Sequence, residues 1–152
     1  MAFRQVQDLL HWIGEFHEQL AKQYRELAGS QTDERMKMTL TFLADRETRM
    51  NRSMISYIED AEPNLLKTWL NDSQEFNHTG ALARIPECLG CTSVQDIRTN
   101  ASTAHQTLID MYRLRAELAA IPEESELFER LAQNQETEAK LQSRDIARLE
   151  IY

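Results

Sequence analysis

His17-Glu18-Gln19-Leu20-Ala21-Lys22-Gln23-Tyr24-Arg25-Glu26-Leu27-Ala28 is answered, 88 positions further on, by His105-Gln106-Thr107-Leu108-Ile109-Asp110-Met111-Tyr112-Arg113-Leu114-Arg115-Ala116. His, Leu, Tyr, Arg and Ala stand at the same five of twelve places. The same offset of 88 carries Val6 to Val94, Leu43-Ala44 to Leu131-Ala132, and Ile58 to Ile146. One register across two helix-length segments predicts a helical hairpin present twice.

Working outward, the first copy lies in a helix over about Phe3 to Ala28. Its stripe, Val6, Leu10, Ile13, His17, Leu20, Tyr24 and Leu27, alternates steps of three and four. Gly29-Ser30 ends it, and Thr32 reads as the cap of a second helix over Asp33 to Asp60. That helix has the seam Met36, Leu40, Leu43, Glu47, Met50, Met54 and Tyr57, and Pro63 stops it. Residues 61–92 break the pattern, with one or two amphipathic turns around Leu65, Leu66, Trp69 and Leu70. About thirty residues is far more than an antiparallel turn needs and suits a crossover along a bundle. A third helix starts at Ser93, with Asp96 at capping distance, and ends near Ala120. Its stripe is Val94, Ile97, Ala101, His105, Leu108 and Tyr112. A fourth runs from Pro122 to about Leu149 through Leu127, Leu131, Gln135, Glu138 and Leu141, with Phe128, Ala139 and Ile146 as a rival face. The expected architecture is all-α: one domain over 1–152, a four-helix bundle of two hairpins joined by a crossover at about 61–92.

Composition agrees. In 152 residues, 28% are charged and there are only 4 Gly and 3 Pro, which favours long helices. A net charge of −8 argues against nucleic acid and against anionic membrane surfaces as partners. No apolar run approaches the ~18 residues of a membrane span. The start, Met-Ala-Phe-Arg-Gln-Val-Gln-Asp, lacks the apolar stretch of a signal peptide, and 2 Cys make no disulfide framework. A cytoplasmic protein is expected.

Each helix carries a polar residue in mid-seam: His17, Glu47, His105, and the pair Gln135 and Glu138. An unpaired buried neutral group costs about 1–3 kcal/mol and a charge costs more. These groups must therefore satisfy one another or hold an ion.

The duplicated hairpin, with Tyr24-Arg25-Glu26-Leu27-Ala28 closing its first helix and Leu43-Ala44-Asp45-Arg46-Glu47-Thr48-Arg49-Met50 in its second, resembles the ferritin-like superfamily, the rubrerythrin-like branch in particular. The likeness covers all four helices. It implies a di-iron site built from one Glu on each of the first and third helices and Glu-x-x-His on each of the second and fourth. At those places this chain has His17 and His105 for the single carboxylates, Glu47 retained but Met50 for its His, and Gln135 and Glu138 for the last pair. The expectation is a bundle that has lost most di-iron ligands and works as a non-catalytic binding or scaffold protein without cofactor. By the resemblance it self-associates, as a homodimer. The alternative is a metalloprotein with one Zn or Fe ion on His17, Glu47, His105 and Glu138, with Met50, Gln135 and Glu18 as further candidate ligands. A di-iron oxidase or peroxidase is a third reading.

Other features are weaker. Cys88-Leu89-Gly90-Cys91 is a lone Cys-x-x-Cys with no strand before it, open to readings as two thiols, a disulfide, or half a zinc site with His78. Met36, Met50 and Met54 sit on the seam and Met38 does not, a packing pattern. An exposed Trp12 would mark an interface, and Arg46, Arg49 and Arg52 read as a solvated face. No phosphate loop or nucleophile elbow is present.

Overall fold

In a computed structural model, which describes residues 3–71, 77–85 and 93–151, the stripes close into four long helices and two short ones. These are α1 (Val6–Ser30), α2 (Glu34–Asp60), α3 (Pro63–Leu66), α4 (Asn77–Arg84), α5 (Val94–Leu118) and α6 (Pro122–Ile151). α1 packs along α2 and α5 along α6, each pair joined by a three-residue turn, and α2 touches both members of the second pair. The expected all-α bundle is present.

The helix starts follow local chemistry. At α2 the cap is Asp33, not Thr32: its carboxylate accepts from the backbone of Arg35 at 2.9 Å and of Met36 at 3.5 Å. An anionic cap also complements the positive helix end, which a hydroxyl cannot do. At α5, Ser93 caps the Asp96 N–H at 3.2 Å, the expected arrangement. At α1, the Asp8 carboxylate reaches back to the Gln5 N–H at 2.9 Å. The chain after α2 is stitched to this end by Val6 N–H to Thr68 O and Leu70 N–H to Arg4 O, both 2.9 Å. Leu66 and Leu70 are buried there, while Trp69 is 62% exposed. α4 takes up part of the crossover that the sequence left without structure, Gly80 included.

The duplication is visible in burial. Of the eleven buried residues of α1, eight have a buried counterpart 88 positions on, among them Leu9 and Ile97, His17 and His105, and Tyr24 and Tyr112. Of the seven in α2, six do, including Leu40 and Phe128, Glu47 and Gln135, and Met54 and Gln142. Helix α6 therefore buries Phe128, Gln135 and Gln142, seven apart, together with Leu127, Ala132 and Ile146. Leu141 and Glu138, which the sequence places on the core stripe, are only half buried. Trp12 is half buried between Phe3 and Phe16, with ring centroids 5.9 Å away on each side, so it is no exposed interface marker. Among the described residues no helix is long and apolar enough to cross a membrane.

Candidate functional site

The α1 stripe brings His17 inward against Glu47 of α2. Both are 3% exposed, and Nδ1 lies 2.6 Å from Oε2. A carboxylate oxygen only accepts, so Nδ1 donates, and in the neutral ring Nε2 is left as the acceptor nitrogen. Nε2 has no hydrogen-bond partner among the described residues. Tyr112 of α5 stands near the same carboxylate. Burial, and then the Glu47 charge, push its ionisation far above the ordinary tyrosine range, so it remains a phenol.

In the second half the hydrogen-bond directions follow from one cation. Arg46 of α2 clamps Glu138 of α6 through two bonds, Nε to Oε1 at 2.6 Å and a second guanidinium nitrogen to Oε2. Glu138 Oε1 also accepts from Gln142 Nε2 at 3.1 Å. That turns the Gln142 carbonyl toward His105 Nε2, 2.7 Å away, so Nε2 must carry the proton. The bare Nδ1 of His105 then accepts from Gln135 Nε2 at 2.5 Å. Every member has a partner of the correct sense, as a buried polar chain requires. Burial alone would raise the Glu138 carboxyl, but the bonds from Arg46 and Gln142 outweigh it and hold the group below the usual range.

Comparison of the chain with protein-family models, curated proteins and solved structures returned no match.

The two pairs are related by the repeat: His17 with Glu47, and His105 with Gln135, each 30 residues apart and each bonded through Nδ1. Both border one region. His17, Tyr112, Gln135 and Glu138 line a cleft of about 350 Å³, with Met50, Met54, Leu127 and Leu131 as apolar walls and Ser53, Arg130 and Asn134 at its mouth. His105 and Gln142 border a separate, more polar groove between α5 and α6. Of the further candidates, Met50 places its sulfur 3.9 Å from Gln135 Nε2, and Glu18 is exposed on the outer side of α1.

Both His105 nitrogens are engaged by amides, both Glu138 oxygens by Arg46, and His17 Nδ1 and Glu47 Oε2 by each other. Among the described residues no group of three or more His, Cys, Asp or Glu is gathered as a metal ion would require. Cys88 and Cys91 lie outside the described residues.

The sequence reading missed two members of the network. Gln142 was hidden because a glutamine on a helix reads as surface; its burial follows only from the seven-residue spacing with Phe128 and Gln135. Arg46 falls on the face that the sequence marks as solvated, yet its side chain is 22% exposed and reaches across to α6. A second buried polar cluster joins the α5–α6 corner to the crossover. Fully buried Arg115 donates to Asn71 O at 2.7 Å, and Asn71 Nδ2 donates to Leu118 O at 3.0 Å. Glu124, also fully buried, accepts from the Ala120 N–H at 3.0 Å. Burial raises its carboxyl above the ordinary range, against the opposing effects of that bond and of Arg115.

Proposed function

We propose that the chain is a ferritin-like bundle whose polar layer works as a hydrogen-bond network instead of a di-iron site, and that it serves as a non-catalytic binding protein. The observation that supports this reading most is the fully directed chain from Arg46 through Glu138, Gln142 and His105 to Gln135. A satisfied buried network fixes helix register, and here it occupies both nitrogens of His105 and both oxygens of Glu138. The test is elemental analysis of protein expressed with added iron and zinc, paired with melting curves with and without EDTA. The reading expects substoichiometric metal and superimposable melts. One metal per chain, with a melting temperature that falls on chelation, would overturn it.

A single-ion reading draws on one feature. His17 has a carboxylate behind Nδ1, the arrangement that orients many metal-binding imidazoles. It would require Arg46 to release Glu138, and the same two measurements decide between them.

A further inference from the structure

We propose that the cleft over His17 is a binding site for a small uncharged aromatic molecule carrying one hydroxyl group. This deepens the binding reading above and rests on it.

The polar requirement comes from two atoms. His17 Nε2, with its proton held at Nδ1 by Glu47, is an acceptor without a protein donor. Tyr112 is 2% exposed and lines the same cleft, and its hydroxyl has no hydrogen-bond partner among the described residues. Neither atom is sealed from the cleft, so water or a ligand there must pair them. A single hydroxyl answers both: its O–H donates to Nε2 and its oxygen accepts from the Tyr112 O–H. The charge requirement is neutrality. Glu47 lies beneath the histidine and repels an anion without itself lining the cleft, and the charge of Glu138 is taken by Arg46, so no free carboxylate is presented to a cation. The walls set the rest. Met50, Met54, Leu127 and Leu131 are apolar, and the two thioethers favour the edge of an aromatic ring. A volume of about 350 Å³ takes a one- or two-ring compound.

The repeat explains why this place is open in one half only. His105 has Gln142 on its Nε2, whereas the residue at the same distance from His17 is Met54. A thioether cannot close the site as the amide does.

The experiment titrates the EDTA-treated full chain with β-naphthol and with naphthalene, followed by fluorescence or calorimetry. Saturable binding of one β-naphthol per chain is expected, with naphthalene weaker by about tenfold or more, because a bound hydrocarbon displaces water from both polar groups without replacing its hydrogen bonds. Met54→Gln should place an amide on Nε2 and remove that preference, while Met54→Leu should keep it. Should Met54→Gln fail to fold, Leu131→Trp fills the cleft from the opposite wall and should abolish binding. Equal affinity for the two compounds, no saturable β-naphthol binding, or undiminished binding to a folded Met54→Gln or Leu131→Trp variant would each overturn the proposal. Metal content measured on the same sample reports separately on the metal-free layer, so failure of one reading is not mistaken for failure of the other.

Discussion

The two halves of this molecule place a histidine at the same depth and bond it through the same nitrogen, yet arrive at opposite chemistry. In the α1–α2 half the partner is a carboxylate, so His17 is protonated on Nδ1 and offers a bare Nε2 beside the cleft. In the α5–α6 half Glu138 turns the Gln142 carbonyl toward His105, so His105 is protonated on Nε2 and its Nδ1 accepts from Gln135. Two substitutions between the copies, Glu47 to Gln135 and Met54 to Gln142, account for the difference. One half is closed and the other open, with no change of backbone plan.

The largest effect that separates the halves should come from deleting each histidine. His17→Ala leaves Glu47 as a buried, unpaired carboxylate and should cost about 3–5 kcal/mol. For a domain of this size that is a fall of roughly 10 °C in melting temperature. His105→Ala leaves neutral amides, and its cost should be smaller, about 1–3 kcal/mol. Thermal or urea melts check both, and equal losses would break the comparison. Next comes Gln142→Met, which copies the first half into the second. It strands the His105 Nε2 proton and should cost about 1–3 kcal/mol in urea denaturation. The reverse experiment, Glu47→Gln, copies the second half into the first. It keeps a bonded partner for Nδ1, because an amide oxygen accepts there as the carboxylate does, so stability should change by about 1 kcal/mol or less.

The smallest effects are in pH dependence, and two carboxyls should give opposite signs. Glu138 is held below the ordinary glutamate value of 4.5, so its contribution is present above that value and is lost as pH falls through the lower folded one. The stability gap between wild type and Arg46→Gln should therefore narrow as pH falls below about 4.5. Glu124 is raised above 4.5, so the folded state binds its proton more tightly and gains as the pH drops through that window. Urea titrations of Glu124→Gln against wild type should show the wild type gaining relative stability toward pH 4, roughly the unfolded glutamate range. A gap that moves the other way in either variant would contradict the corresponding assignment.

Much of the bundle was legible because it depends on spacing. The stripes through Leu10, Leu20, Leu40, Leu43, Ile97 and Leu108 are fixed by the helical period, and all of these residues are buried. Helix α6 was harder, because Leu131 and Leu141 on one row and Phe128 and Ile146 on another support two registers. The buried glutamines that settle the matter look like surface residues until their partners are known. The inward residues His17, Glu47, His105 and Gln135 could be named from the repeat. Their partners could not, because Arg46 and Gln142 act across helices, and long flexible side chains carry little directional signal in sequence. Asp33 in place of Thr32 is a smaller instance: both are capping residues one position apart, and only the backbone turn decides.

The core layer is a directed hydrogen-bond network that holds its two histidines in opposite tautomers. Imidazole nitrogen NMR of the histidine-labelled protein at neutral pH tests this directly, with His17→Gln and His105→Gln used for assignment. His17 should be protonated on Nδ1 and His105 on Nε2, with a spectrum unchanged by EDTA. Two histidines protonated on the same nitrogen, or signals that shift when metal is removed, would contradict it.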